Sequence, residues 1–248
     1  MFGPWTPLVA LAATLLPLLW IKRRVTENLA VLSIRWLGDR DVALVVYFVV
    51  LLPGVVVHEA SHWLTAKLLG VKVRRFHLGP VRRGKRLTLG SVQVANVDPV
   101  RISLIGLAPL VVGSALILLI GYRVLGIGAL GELFAAGGVE GLLAGLDRLW
   151  HVPDFWLWLY LIFAISNAML PSEADLAPLR PVLLFLGIVA GGLLLLHGAP
   201  TLSPATVERA NAVAGYLASA FGLTLAVDLL FGGVIAALLW LTDRQQAF

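Results

Sequence analysis

The sequence predicts an all-α integral membrane protein of about six transmembrane helices, with a small β-sheet or hairpin at the membrane surface near residues 71–99. Three observations predict it. The first is composition: 59% of the 248 residues are hydrophobic, 13% are charged, and mean hydropathy is +0.92. A soluble domain is about 45–50% apolar and about 25% charged. The second is a set of apolar runs long enough, or nearly so, to cross a bilayer, which takes about 20 residues of helix. The third is one intervening stretch where apolar and polar residues partly alternate and glycine and proline punctuate.

The first run covers residues 6–21 and ends at Lys22-Arg23-Arg24. It lacks a small-residue cleavage site and reads as a retained anchor, not a cleaved signal peptide. Residues 25–40, from Val25-Thr26-Glu27 to Gly38-Asp39-Arg40, are too polar to span and are expected at the interface. The second run, 42–69, is apolar throughout except near its end. Residues 71–99 then carry Gly79-Pro80, Gly84 and Gly90 between short alternating stretches, a strand and hairpin signature. A third run covers 100–124. Residues 126–150 are rich in Gly and Leu but hold Glu132, Glu140 and Asp147, which suits a short re-entrant or interfacial helix. Runs at 154–170, 179–197 and 212–241 complete the set. The chain divides into an anchor and linker (1–41), a core (42–178) and C-terminal helices (179–248).

A net charge of +5 and a pI near 10.0 raise the question of nucleic acid. The basic residues cluster beside apolar spans, so the reading is cytoplasmic loops facing anionic lipid, with no nucleic-acid partner. The loop after the second run holds Lys72, Arg74, Arg75, Arg82, Arg83, Lys85 and Arg86, which places it in the cytoplasm. Lys22-Arg23-Arg24 would also lie inside. Both hold only if residues 25–40 cross the membrane, so the orientation of the first helix stays open. The chain has no cysteine, which excludes a disulfide framework and a thiolate metal site.

The second run contains His58-Glu59-Ala60-Ser61-His62. Residues four apart share a helix face, so both imidazoles can meet one ion. Glu59 can reach a water beside that ion without ligating it. Two nitrogen ligands plus a general base are the zinc-hydrolase arrangement. Its depth adds weight, because ionisable groups in hydrocarbon are costly and mark function. Zinc needs a third protein ligand. Asp175 follows Pro171, which breaks an apolar run and frees backbone to line a cavity. Glu173 competes on position. Asp228 lies within the last run, where an acid bonded to a neighbouring Ser, Asn or Arg is the ordinary alternative. His77, His151 and His197 sit in or near loops and read as interfacial.

The run from His58 through Ala66, Gly70-Val71, Val73 and Phe76 to Gly79-Pro80 resembles the site-2 protease family of intramembrane zinc metalloproteases. Asn167, Pro171 and Asp175 are similar to the family's second motif, and Gly106-Leu107-Ala108-Pro109 to its Gly-Pro segment. The similarity covers about residues 42–178. It departs from the family where Pro171 comes one residue late, where Leu176 replaces a glycine, and where the asparagine after the Gly-Pro segment is absent. The resemblance implies that His58, His62 and Asp175 hold Zn²⁺ and that Glu59 is the general base. It further implies that Asn167 bonds the substrate backbone or the developing oxyanion, and that transmembrane proteins are the substrates. The expected location is a prokaryotic plasma membrane, crossed several times. A zinc-binding scaffold or transport-type protein without hydrolysis is the alternative, and hydrolysis of a non-peptide substrate a third. Glu59 separates the alternative from the first reading, since a purely structural site needs no carboxylate beside its first ligand.

Overall fold

A computed structural model describes residues 6–83, 86–197 and 203–246. Gly84 and Lys85, at the tip of the expected hairpin, fall outside them. The order is α1 (Thr6–Leu37), α2 (Arg40–Leu68), β1 (Val73–Arg83), β2 (Arg86–Val94), α3 (Pro99–Leu119), α4 (Ile127–Trp150), α5 (Phe155–Met169), α6 (Glu173–Leu176), α7 (Leu179–His197) and α8 (Pro204–Gln246). A π-helical turn at Ile120–Val124 extends α3.

Among the described residues three helices are long and apolar enough to cross a membrane: Arg40–Leu68, Pro99–Val124 and Pro204–Asp243. A bent pair, Ala136–Trp150 with Phe155–Met169, makes a fourth span if it is counted as one; its two arms meet at 95°. Of the six apolar runs, three correspond to helices that meet this length and hydropathy among the described residues. The run at 154–170 becomes α5, whose 15 residues reach only about 22 Å against a hydrocarbon core of about 30 Å. Residues 126–150 form α4, interrupted at Gly138, which takes φ 56° and ψ −128°. That conformation suits a glycine and breaks the helix.

The first run does not stop at residue 21. It continues through its charged middle as one helix of 32 residues. Arg23 and Glu27 pair across one turn at 2.9 Å, and α8 supplies the rest. These two helices run parallel and side by side: Thr14 lies by Gly222, Val25 by Gly232, and Arg35 pairs with Asp243. Leu18, Val25 and Leu32 are buried. Tertiary packing along the whole helix outweighs the polar stretch that local composition read as a boundary.

Asp39 caps α2 by accepting from the N–H groups of Asp41 and Val42 at 2.7 and 3.1 Å. The Val42 and Asp41 bonds hold its carboxyl below the ordinary range. Gly38, at φ 68°, makes the turn from α1. The expected sheet is present as one antiparallel pair, with Val73 opposite Val94 and Leu78 opposite Gly90. Val73 and Val94 pack on Ala66, Val71 and Ile105 and tie the hairpin to the end of α2.

The core lies where α2, α3, α5 and α8 meet, around Val55, Ile117, Ile162, Phe163, Met169 and Phe221. Large apolar side chains such as Leu16, Leu68, Val111 and Trp240 point outward. In hydrocarbon that costs nothing, whereas a soluble surface would hold no such girdle.

Candidate metal centre

The centre starts from a close approach of two helices. α2 and α5 run parallel with contacts repeating every turn. Tyr160 Oη donates to the Val50 carbonyl at 2.9 Å. One turn on, a Cβ on Gly54 would lie 1.9 Å from the Ala164 oxygen, so only glycine lets the backbones meet. One turn further, His58 Nδ1 meets the Ala168 carbonyl at 2.7 Å. Ala168 is in the last turn of α5, where carbonyls have no partner within the helix. The imidazole satisfies one of them.

His62, 5% exposed, makes the matching bond on the other side: its Nδ1 lies 2.7 Å from the Ile105 carbonyl of α3. A carbonyl only accepts, so both Nδ1 atoms carry the protons. Both Nε2 atoms are then left with lone pairs, and these face each other at 3.1 Å. Asp175 joins them, with Oδ1 3.3 Å from His62 Nε2 and Oδ2 3.8 Å from His58 Nε2. Its backbone is pressed against α3 at Gly106, where a Cβ would stand 2.3 Å from the Asp175 carbonyl oxygen.

Asp175 is oriented by a capping box. The Ser172 hydroxyl and N–H donate to Asp175 Oδ2 at 2.6 and 2.8 Å, and the Asp175 N–H returns a bond to Ser172 Oγ at 3.3 Å. These bonds occupy Oδ2 and leave Oδ1 turned to His62. The sequence carried the signal for this: Ser172 followed three residues later by Asp175 is a cap signature. No such signal exists for the Ala168 and Ile105 carbonyls, because backbone partners leave no side-chain pattern.

Two neutral imidazole lone pairs and a carboxylate are all acceptors. Their convergence is repulsive unless a metal cation or a proton on one Nε2 lies among them. The donor spacing fits a metal cation: four-coordinate bonds of about 2.0–2.1 Å imply ligand-to-ligand edges of about 3.3–3.4 Å. The separations of 3.1, 3.3 and 3.8 Å bracket that value. His58, His62 and Asp175 thus form a group that could hold a metal ion, the one such group among the described residues.

Glu59 stands beside this group, 5% exposed, and its Oε2 has no hydrogen-bond partner. Strand β2 covers it: a Cβ on Gly90 would lie 2.6 Å from Glu59 Oε1. Asn167 lies on α5, directly before Ala168. Its amide donates to the Phe163 carbonyl at 2.9 Å and to Asp228 Oδ1 at 3.2 Å. The first of these bonds lies within α5 and the second reaches α8. Asp228 is fully buried and also accepts from Ser166 at 3.0 Å, so it is a helix-packing acid and no member of the ligand group. His77 is exposed on β1, and His151 is exposed with its Nδ1 on the Asp147 carbonyl. The His197 side chain lies outside the described residues.

Comparison of the chain with protein-family models, curated proteins and solved structures gives no match.

Proposed function

We propose that this protein is an intramembrane zinc metalloprotease that hydrolyses peptide bonds in or near transmembrane segments of other membrane proteins. The observation that carries the reading is the pair of Nδ1 protons committed to backbone carbonyls, which leaves both Nε2 lone pairs and Asp175 Oδ1 converging beside an unpartnered Glu59 oxygen. His58, His62 and Asp175 would hold Zn²⁺, a choice favoured by the nitrogen and oxygen donors and by the absence of cysteine. A bound zinc ion supplies Lewis acidity, lowering the pKa of water and polarising a carbonyl.

The chain's own residues supply the rest. The Ala168 and Ile105 carbonyls fix the tautomer and ring angle of the two histidines. Glu59 accepts a proton from the attacking water as its oxygen bonds to the scissile carbon. It delivers that proton to the leaving nitrogen as the C–N bond breaks. The surrounding helices exclude bulk solvent and strengthen each of these interactions. A helical substrate must unwind locally, because a helix buries each carbonyl in its own hydrogen bonds.

One observation favours the alternative of a zinc-binding scaffold or transport-type protein: β2 closes over Glu59, which limits access to the base. A carboxylate placed beside the first ligand favours hydrolysis. The test is cleavage of helical peptides in liposomes by zinc-loaded protein, before and after chelation and after zinc is restored. Cleavage lost on chelation and regained with zinc supports the protease. A zinc-loaded protein that cleaves none of a broad panel of transmembrane peptides supports the scaffold.

A further inference from the structure

We propose that Asp228 of α8 is a positioning residue for the metal centre, holding the last turn of α5 so that its Ala168 carbonyl orients His58. This rests on the reading of His58, His62 and Asp175 as metal ligands. Asp228 is 0% exposed in the middle of an apolar helix, an expensive place for a carboxylate. Its Oδ1 gathers two donors from α5, Ser166 Oγ at 3.0 Å and Asn167 Nδ2 at 3.2 Å. Residue 168 follows directly, and its carbonyl takes the His58 Nδ1 proton at 2.7 Å. The path from α8 to the ligand is therefore one carboxylate, one amide side chain, one peptide and one imidazole.

Without Asp228, Ser166 and Asn167 keep only their bonds back to the Phe163 carbonyl, at 2.8 and 2.9 Å, within α5 itself. Among the described residues no other side-chain hydrogen bond ties the end of α5 to α8. That end needs tying, because α5 stops at Met169 and Leu170 turns extended. Partners that orient a metal-ligating histidine typically change metal affinity about 10–100-fold when removed.

The experiment measures zinc affinity by chelator competition, and the visible spectrum after cobalt substitution, on the full chain in detergent. Asp228→Leu is expected to weaken zinc about tenfold, the lower end of the range because Asp228 acts through Asn167. Its cobalt spectrum shifts from wild type. Asp228→Asn keeps an acceptor oxygen for both donors and is expected to restore the affinity and the spectrum. Asn167→Ala cuts the same link from α5, so its loss matches that of Asp228→Leu and does not add to it. It also stands in if the Leu variant fails to fold. Wild-type affinity in either truncation, or an Asn variant no better than Leu, overturns the positioning role. A wild-type protein that binds no zinc overturns the metal reading itself, which is a separate outcome.

Discussion

His58 and His62 face each other through their Nε2 atoms at 3.1 Å, each with its other ring nitrogen bonded to a backbone carbonyl. As neutral imidazoles so bonded, both rings present an acceptor to the other, and Asp175 stands where it completes a group that could hold a metal ion.

On the proposed reading Asp175 is the third zinc ligand and Glu173 is not. Asp175→Ala is expected to weaken zinc by more than the ~100-fold upper range of outer partners, whereas Glu173→Ala leaves affinity near wild type. Zinc titration of both variants checks this. Retained zinc in Asp175→Ala together with loss in Glu173→Ala would reverse the assignment.

Ser172 fixes the Asp175 carboxylate through two bonds to Oδ2. Ser172→Ala removes the hydroxyl donor and the cap. Zinc affinity is expected to fall about tenfold, as for other outer-shell partners. Ser172→Thr, which can rebuild the cap, is expected to recover most of it. Equal zinc affinity in all three proteins would separate the cap from the site.

Gly90 sets the space available to the general base. A methyl group there would stand 2.6 Å from Glu59 Oε1, closer than any real contact. Gly90→Ala must displace the carboxylate or lift the strand. Misplacement by about 1 Å can cost about 100-fold in rate, so cleavage is expected to drop by that order. The nearest atoms to a Cβ at Gly90 all belong to Glu59, so zinc content is expected to stay at the wild-type level. Zinc stoichiometry and initial rates on one preparation decide it, and an undiminished rate removes Gly90 from any role at the base.

The ligand face was legible because helical spacing is local: residues four apart meet wherever the helix goes, so His58 and His62 could be paired on sequence alone. Asp175 was legible through Pro171, which interrupts an apolar run. The polar partners of these groups were not. The Ala168 and Ile105 carbonyls are chosen by how α2, α5 and α3 pack, and any residue type would supply them. Nor were the bonds from the Asn167 amide N–H groups to the Phe163 carbonyl and to Asp228, which depend on how α5 packs against α8. The end of the first helix was misplaced for the same reason: α8 lies along α1 past Arg23 and Glu27, and no local window contains α8. Hydropathy found the apolar runs but not how α4 and α5 meet, since a 95° bend depends on residues between them and on packing.

Glu59 carries the central claim, because the ligands alone would make a zinc site and only the base makes a hydrolase. Glu59→Gln keeps the side chain's size and cannot take a proton. The deciding measurement is zinc content and cleavage of a transmembrane peptide in liposomes, made on the same samples of wild type and Glu59→Gln. Intramembrane hydrolysis predicts equal zinc in both and a rate about 100- to 10,000-fold lower in the variant. Undiminished cleavage by a zinc-loaded Glu59→Gln protein would contradict it.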